Sequence, residues 1–321
     1  VPVVIALGDP LPDTAVPVLV VDATAAGGAR GRAAALLTLV QEWLADAAWV
    51  GSRLVVRTFG AAGEEITDPD GAALWGLVRS AQAEHPERIH LLDAVEELVL
   101  PLPQAVVRDG VVRVPRLVRV QVPSARVDLG DGVVVVTGAT GVLGRLVAQH
   151  VVRVHGVREL LLLSRSGGVV ELDGAVVRSV ACDVSDAAAV VEVLGDEPVT
   201  AVIHAAGVLD DGTLESLTAG RLDTVFRAKV DAARNLVAAT RGKPLRAFVL
   251  YSSAAGLFGN AGQGNYAAAN AFLDAYATGL RAEGIPATSL AWGLWEAGMG
   301  DVLTDADRDR MRRGGILPLT R

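Results

Sequence analysis

The chain has 321 residues, of which 51% are hydrophobic and 21% are charged, and its formal net charge is −8. This composition supports a large buried core and excludes intrinsically disordered, collagen-like and low-complexity proteins. An acidic chain without a basic run is not expected to bind nucleic acid or an anionic membrane surface. One cysteine, Cys182, leaves no internal disulfide, and without a secretory signal we expect a cytoplasmic protein.

The first part of the chain alternates short apolar runs with two helical stretches, which is typical of an α/β fold. The predicted helices cover 30–45 and 71–84, and the turn RDG at 108–110 predicts a hairpin. The alternation stops at 123–129, so we predict a truncated, Rossmann-like structural subdomain over residues 1–126. Its predicted strands are 3–7, 17–22, 53–59, 89–93, 106–107 and 111–114.

From Val133 onward the same alternation is stronger, with helical stretches at 143–155, 214–240 and 266–283. Repeated strand–helix–strand units predict a doubly wound parallel sheet, because right-handed crossovers place helices on both of its faces. Residues 127–321 are therefore predicted to form a second, Rossmann-type subdomain. Its predicted strands are 133–137, 159–164, 175–182, 199–206, 246–253 and 286–292.

The longest stretch without a charged residue, from Ala247 to Leu273, is long enough to cross a membrane. It contains four glycines, three asparagines and paired serines, whose polar groups would be costly in lipid. We therefore predict that this stretch is not a membrane helix.

The sequence TGATGVLG at 137–144 follows a predicted strand and precedes a predicted helix. Gly138 permits a tight turn, Gly141 lets a pyrophosphate approach the backbone, and Gly144 allows close contact between helix and strand. This context distinguishes a dinucleotide site from an ordinary glycine-rich turn. The residues predicted to contact the cofactor here are Thr137, Gly138, Thr140, Gly141, Leu143 and Gly144.

NADPH is the predicted cofactor because Ser164 and Arg165 end the second strand, where NAD-binding proteins carry an acidic residue. A carboxylate would repel the 2′-phosphate of NADPH, whereas a guanidinium binds it. The alternative is a solvated arginine on a loop. The ends of the next two strands supply further predicted cofactor contacts: Asp183, Val184, Ala205, Ala206 and Gly207.

Reduction of a ketone needs a proton donor and a group that holds the carbonyl oxygen. Tyrosine is a weak acid at neutral pH unless a nearby cation favours its phenolate. Ser253 ends a predicted strand, and Tyr266 follows near the start of a predicted helix. Asn270 shares a helix face with Tyr266, because the two are four residues apart.

The motifs TGATGVLG, YSSAAG, GQGNYAAAN and FRAK together resemble the short-chain dehydrogenase/reductase superfamily, and more narrowly the ketoreductase domain of a modular type I polyketide synthase. The common superfamily pattern has a lysine four residues after the tyrosine, whereas Asn270 stands there and Lys229 lies on the preceding predicted helix. This exchange is the arrangement of polyketide and animal fatty acid synthase ketoreductases. The resemblance implies that Tyr266 donates the proton, Ser253 orients the ketone, Lys229 lowers the tyrosine pKa and Asn270 completes a proton relay.

The resemblance extends to the first part of the chain, because residues 74–93 are similar to the signature of the structural subdomain that precedes such catalytic domains. That part has neither a glycine fingerprint nor a Ser/Tyr pair, so we interpret it as a non-catalytic scaffold. The implied activity is NADPH-dependent reduction of a β-ketoacyl intermediate in polyketide biosynthesis. The implied partners are an acyl carrier protein that carries a phosphopantetheine thioester and the neighbouring domains of the synthase.

The resemblance also suggests a stereochemical subtype. Leu209, Asp210 and Asp211 are similar to the fingerprint of B-type ketoreductases, which give the 3R alcohol. Phe258 stands where A-type domains have tryptophan, and Ala268 stands where epimerising B-type domains tend to have proline. We also predict that Gln263 takes part in stereocontrol. Asp210 and Asp211 are also compatible with capping a helix before Leu214.

Two features depart from the family. Residues 165–174 contain no convincing helix, although a parallel crossover normally needs a dozen or more residues. Either this crossover is short, or residues are missing between Gly168 and Val169. The chain also stops where the family would continue, which suggests an excised domain. The resemblance predicts a mobile lid over the substrate, from the stretch AWGLWEAGMG at 291–300 to about Arg312.

Other functions are less consistent with the motifs. The five histidines lack metal-ligand spacing, so no metal is predicted, and no GxSxG motif suggests a hydrolase. Cys182 is interpreted as a core residue. The alternatives kept open are a redox-silent scaffold or epimerase domain, a nucleotide-sensing protein and a free-standing NADPH-dependent reductase.

Overall fold

The computed structural model describes residues 2–96, 98–121, 127–168, 170–296, 312 and 317–319. Within that part the backbone forms two sheets of six strands each. Both are α/β sheets, as the alternation of apolar runs and helical stretches predicts. The predicted boundary between residues 126 and 127 adjoins residues 122–126, which lie outside the described part, and stays a prediction.

The first sheet contains strands β1 to β6, whose order follows the chain. Helices α1 (Ala29–Ala45) and α2 (Pro69–Glu84) connect β2 to β3 and β3 to β4. Asp109 and Gly110 both have positive φ in the tight hairpin before β6, as in a type I′ turn. The strands are Val3–Ala6, Val18–Asp22, Arg53–Thr58, Ile89–Asp93, Gln104–Arg108 and Val111–Arg113.

The second sheet contains strands β7 to β12, all parallel, in the order β12-β11-β10-β7-β8-β9. The order reverses between β7 and β10, which creates the crevice where dinucleotides bind in open α/β sheets. The first sheet has no such reversal. The strands are Val133–Thr137, Glu159–Ser164, Val176–Ala181, Val199–His204, Ala247–Ser253 and Ala287–Trp292.

The helices of this second part are amphipathic or buried, and α3 places Ala148, Val151 and Val152 in the core beneath β7 and β8. No helix lies among the described residues between β8 and β9, as expected for the short crossover; Val169 lies outside the described part. The helices are α3 (Val142–His155), α4 (Ala187–Leu194), α5 (Ala219–Phe226), α6 (Ala232–Thr240), α7 (Ala254–Phe258) and α8 (Gly264–Ala282).

The continuous helix predicted over 214–240 is wrong. A 3₁₀ turn at Leu214–Ser216 precedes α5, and a π-helical segment at Arg227–Asp231 separates α5 from α6. Leu217 has extended backbone, and the hydroxyl of Thr218 accepts from the N–H of Arg221, which starts a new helix. The apolar periodicity continues across these interruptions, which is why the sequence pattern does not reveal them.

The chain groups into two compact units that do not follow the halves of the sequence. The scaffold unit contains Val1–Pro123, Asp210–Phe226 and Ala255–Gly279. The nucleotide unit contains the remaining segments, Ser124–Leu209, Arg227–Ala254 and Leu280–Arg321. The first sheet therefore shares a unit with α5 and most of α8.

Candidate active site

The glycine-rich turn joins β7 to α3 in the nucleotide unit. Gly138 has a φ of +69°, and a Cβ there would lie 2.8 Å from the backbone of Ala206. A Cβ on Gly144 would overlap the carbonyl oxygen of Gly138. Gly141 is the N-cap of α3 and supplies no side-chain acceptor. The turn thus presents backbone N–H groups at a helix N-terminus, where phosphate groups bind.

The other side chains assigned to this turn differ in exposure. Thr140 is exposed, and Leu143 is half-buried in the first turn of α3. Thr137 is fully buried, with its Oγ 2.7 Å from Nδ1 of His204, and it accepts from the N–H of Ala206 at 3.3 Å. Thr137 therefore joins the ends of β7 and β10 on the two sides of the crevice.

His204 is held in its neutral form. Burial, reinforced by the positive charge of Lys229, lowers the pKa of His204 from 6.5 to about 3. The neutral imidazole can keep its bond to Thr137 throughout the physiological pH range. The sequence pattern places this histidine at a strand end but gives no indication of its role.

The pKa of His204 predicts how stability depends on pH. Below about pH 6.5 the unfolded chain binds a proton that the folded chain does not, so the free energy of unfolding falls toward about pH 3. Urea titrations should show this loss in the wild type, at about 1.4 kcal/mol per pH unit relative to His204→Asn. Equal slopes for the two proteins would contradict the assignment.

The predicted 2′-phosphate position lies at the end of β8. The Ser164 hydroxyl accepts from the N–H of Gly167 at 3.1 Å, and the Arg165 side chain is exposed. Hydrogen bonds from Ser185, helped by Arg227 and Arg165, lower the pKa of Asp183. Arg165 and Arg227 thus both lie near the Asp183 carboxylate, beside the strand end where the 2′-phosphate is predicted to bind.

Lys229 is buried in the π-helical segment, a type of irregularity that often occurs at functional sites. Its Nζ donates to the carbonyl oxygen of Tyr251 in β11 at 2.8 Å. A Cβ on Gly207 would lie 3.2 Å from Cε and 3.4 Å from Nζ of Lys229. The glycine that follows β10 therefore admits the lysine, and Ala205 and Ala206 precede it as half-buried small residues.

Ser253 is the last residue of β11 and is half-buried, whereas Ser252 is buried. It pairs with Trp292 in β12 and directly precedes α7. Ser253 therefore lies at the carboxyl end of the parallel strands, the edge at which active sites of this architecture occur.

Tyr266 and Asn270 lie on α8 in the scaffold unit, four residues apart as predicted. The Tyr266 side chain is buried, and its backbone N–H donates to Oδ1 of Asn265 at 2.8 Å. Asn270 is fully buried and donates to the Tyr266 carbonyl oxygen at 2.8 Å. Asn265 also donates to the Asp210 carbonyl oxygen at 2.7 Å. The first turn of α8 is thus held by side-chain amides.

Asp211 and Gln263 contact each other in the scaffold unit. Nε2 of Gln263 donates to Asp211 Oδ2 at 2.7 Å, and burial raises the pKa of the Asp211 carboxyl. Asp210 instead pairs with Arg221 at 3.6 Å. Leu209 is the half-buried last residue of its segment of the nucleotide unit.

The capping interpretation of Asp210 and Asp211 is wrong. The N–H of Leu214 donates to the carboxylate of Glu84, at 2.7 Å, and neither aspartate side chain accepts from it. Glu84 comes from the far earlier helix α2, so a local sequence pattern cannot identify it as the cap.

Phe258 and Ala268 have contrasting environments. Phe258 is 57% exposed at the end of α7, whereas Ala268 is fully buried in α8. A Cβ on Gly76 of α2 would lie 2.7 Å from Cα of Ala268, so α2 and α8 are in close contact there. A larger side chain at residue 76 would separate the two helices.

Arg79 also connects α2 with the segments from the second half of the sequence. It donates to the Gly256 carbonyl oxygen at 2.7 Å and to Gln104 at 3.0 Å. Burial lowers the pKa of Arg79 to about 10, and nearby Asp274 opposes the shift. Arg79 and Glu84 both lie in the motif at 74–93, yet nothing in the sequence pattern indicates that either residue contributes to the active site.

One group among the described residues has atoms positioned for a metal ion: Glu84, His85 and Glu215, with ligand atoms within 4.8 Å of one another. Both oxygens of Glu84 accept backbone N–H groups, and His85 lies 3.3 Å from Glu215. These contacts are structural, and we assign no metal site to them.

Three further expectations concern Cys182, the predicted lid and the membrane. Burial raises the pKa of the Cys182 thiol, and nearby acidic side chains raise it further, which favours a core role. Most of the predicted lid, 297–311, lies outside the described residues. No helix in the described part is both long and apolar enough to cross a membrane.

The family model described as "KR domain" matches residues 132–297, which include the glycine turn, Lys229, Ser253 and α8. The chain belongs to the KR domain family. As a KR domain it is an oxidoreductase of the short-chain dehydrogenase/reductase type. Residues 2–117 match a second model, described as "Polyketide synthase extender module SpnB, Rossmann fold domain".

The relatives of this KR domain are polyketide synthases. It is 49% identical over 315 residues to spectinabilin polyketide synthase system protein NorA' of Streptomyces orinoci, covering 88% of this chain and 9% of that protein. It is 50% identical over 321 residues to polyketide synthase GfsA of Streptomyces halstedii, covering 91% of this chain and 4% of that protein. The chain thus spans less than a tenth of either relative.

Solved structures show the same architecture. The ketoreductase from the first module of phoslactomycin biosynthesis in Streptomyces sp. HK803 matches with a TM-score of 0.82 and 31% identity, covering 99% of this chain and 83% of that one. The A-type ketoreductases from a modular polyketide synthase match with a TM-score of 0.81 and 32% identity, covering 95% and 73%. Both similarities extend over the two sheets.

Proposed function

We propose that this KR domain uses NADPH to reduce a β-ketoacyl chain, held as a phosphopantetheine thioester on an acyl carrier protein. The proposed product is the 3R β-hydroxyacyl chain, with no epimerisation of its α-substituent. The observation that carries the proposal is Lys229, whose buried ammonium group contacts the Tyr251 carbonyl oxygen beside Gly207. Burying a cation costs free energy, so a buried lysine at this position indicates a functional role for its charge.

The nucleotide unit fits a dinucleotide. The space that a Cβ would fill at Gly138 and Gly144 is already occupied by backbone, so only glycine allows this turn. The N–H groups at the start of α3 would hold the pyrophosphate, and Ala205 to Gly207 would contact the nicotinamide half. We assign Arg165 and Ser164 to the 2′-phosphate, and Asp183 and Val184 to the adenine.

When bound, NADPH supplies the hydride that the β-carbon of the ketone accepts. Tyr266 would give its phenolic proton to the carbonyl oxygen, and Ser253 would orient that oxygen by donating a hydrogen bond. We assign to Lys229 the role that the family resemblance implies, lowering the pKa of the tyrosine, because a cation favours the phenolate. Asn270 would belong to the relay that returns a proton to the phenolate. One hydride and one proton are thus added to each ketone, which becomes an alcohol.

Stereocontrol is assigned to the Asp211–Gln263 pair and its neighbours. The bond between these two side chains is polar and lies on the segments that precede α5 and α8. We assign to this pair the control of the direction from which the thioester enters, and therefore of the ketone face that accepts the hydride. Leu209, Asp210, Phe258 and Ala268 are the other residues that we assign to this selection.

The cofactor preference yields a prediction for Arg165→Ala. A charge-assisted hydrogen bond to phosphate is worth about 1.5–3 kcal/mol, so the KM for NADPH should rise about 10- to 100-fold. The KM for NADH should change little, because NADH lacks the 2′-phosphate. Arg153→Ala, an exposed arginine in the last turn of α3, is the matched control. An unchanged KM for NADPH in Arg165→Ala would contradict the assignment.

The proposal is tested with a racemic 2-methyl-3-ketopentanoyl thioester, by following NADPH consumption and separating the alcohols by chiral chromatography. We expect turnover that gives mainly the 2R,3R alcohol. A mainly 3S alcohol would refute the B-type assignment while leaving reduction intact. NADPH binding without consumption would favour the alternative, a redox-silent scaffold or epimerase domain. A free-standing reductase would show no preference for a carrier-bound substrate over the free thioester.

A further inference from the structure

Glu84, the last residue of α2, connects two segments that carry proposed stereocontrol residues. We call residues 210–217 the aspartate segment and residues 259–263 the glutamine loop. Oε2 of Glu84 accepts from the N–H of Leu214 at 2.7 Å, and Oε1 accepts from the N–H of Gly262 at 2.9 Å. Each oxygen of the Glu84 carboxylate therefore accepts one hydrogen bond, one from the aspartate segment and one from the glutamine loop.

The two segments also contact each other. The N–H of Gly212 donates to the Gly262 carbonyl oxygen at 2.8 Å, and Gln263 donates to Asp211 at 2.7 Å. Together with the two bonds to Glu84, each of these contacts closes a ring of three hydrogen bonds in the scaffold unit. Because the Asp211–Gln263 bond belongs to one of these rings, loss of the Glu84 bonds would leave that pair less constrained.

The position of Glu84 in α2 is unfavourable for the helix itself. A negative charge near a helix C-terminus opposes the helix dipole, so this carboxylate does not stabilise α2. The unfavourable interaction of this carboxylate with the helix dipole is offset by the hydrogen bonds that it accepts from two backbone N–H groups in other segments. Gln82 provides a contrast, because it donates to the carbonyl oxygens of Ile89 and Pro103, which both follow α2 within the first sheet region.

The glutamine loop leads directly into α8. A Cβ on Gly264, the first residue of α8, would lie 3.0 Å from side-chain carbons of Leu77 in α2 and Leu217 in the aspartate segment. Tyr266 follows two residues later. A shift of the glutamine loop would therefore move the start of the helix that carries Tyr266.

We propose that Glu84 is a positioning residue, which fixes the spacing between the aspartate segment and the glutamine loop and so sets stereoselectivity. The proposal rests on the proposed function for the roles of Asp211 and Tyr266. We propose no contact of Glu84 with the substrate or the cofactor. Its effect reaches the reaction through the Asp211–Gln263 pair.

The test compares Glu84→Gln with Gln82→Ala. The glutamine amide nitrogen cannot accept, so one of the two N–H groups loses its partner while side-chain volume is kept. With the racemic thioester, kcat/KM should fall about tenfold, mainly through KM, and the minor diastereomer should increase about fivefold. The dissociation constant of NADPH should stay unchanged. Gln82→Ala should lower the melting temperature without altering the diastereomer ratio.

Hydrogen exchange gives a readout that does not depend on turnover. Amides in the aspartate segment and the glutamine loop should exchange about tenfold faster in Glu84→Gln and remain unchanged in Gln82→Ala. Unchanged exchange, or an equal change of diastereomer ratio in both variants, would overturn the proposal. Faster exchange together with an inactive wild type would instead refute the proposed function and leave the positioning of the two segments intact.

Discussion

Replacing Tyr266 with phenylalanine is expected to lower kcat by about 10²- to 10⁴-fold, the contribution of a positioned general acid. The side chain is buried in the first turn of α8, and its backbone is held by Asn265 and Asn270. Phenylalanine fills the same volume without the hydroxyl, so the helix should remain folded. The rate of NADPH oxidation with a saturating thioester measures the effect.

The matched control for this substitution is Tyr276→Phe. Tyr276 lies further along the same helix, where its ring stacks on Phe272 with centroids 5.1 Å apart. It should keep its activity, and both variants should retain NADPH affinity and melting temperature. Full activity in Tyr266→Phe would eliminate the tyrosine from the mechanism.

Replacing Lys229 with methionine is expected to have the second largest effect. Methionine keeps the length of the buried side chain but removes the cation and its bond to the Tyr251 carbonyl oxygen. Without the cation the proposed tyrosine acid is weaker, so kcat at pH 7 should fall about 10- to 1,000-fold. The measurement is kcat across pH 6–10.

The pH profile separates this electrostatic effect from a loss of structure. Reduction needs the protonated phenol, so the rate falls as pH rises through the tyrosine pKa. Removal of the lysine raises that pKa, and the high-pH limb should therefore move to higher pH. Lys243→Met is the control, because Lys243 also donates to backbone carbonyl oxygens, those of Gly195 and Glu197. An unmoved limb in Lys229→Met would contradict the role of the lysine.

The sequence predicts the strands well because most are short apolar runs bounded by turn residues. The hairpin at Asp109–Gly110 and the glycine turn at 138–144 are also confirmed as local structures. These features depend on residues close together in the chain. Backbone sterics and local periodicity therefore suffice to find them.

Features that depend on distant residues were not predicted. Glu84 caps Leu214 from 130 residues earlier in the chain, and Arg79 reaches Gly256 across 177 residues. The π-helical segment around Lys229 leaves no signature in the apolar periodicity. The strand order of the first sheet also cannot be predicted from the sequence. Because this order does not reverse, the sheet lacks the crevice in which dinucleotides bind.

The division into two units predicts a role for the first sheet beyond stability. It shares a unit with the segments that carry Asp211, Gln263 and Tyr266, whereas the glycine turn and Lys229 belong to the other unit. Substitutions in α2 should therefore affect the keto substrate more than NADPH.

Hydride transfer to a β-keto carbon is the reaction that we propose for this KR domain. A direct test uses NADPH deuterated at the transferable position of the nicotinamide C4, the racemic 2-methyl-3-ketopentanoyl thioester and mass spectrometry of the product. We expect one deuterium at C3 of the hydroxyacyl product and none at C2. Recovery of the unreduced thioester without deuterium at C3 would contradict hydride transfer, and uptake of deuterium at C2 in a parallel reaction in D2O, faster than without the protein, would identify an epimerase domain instead.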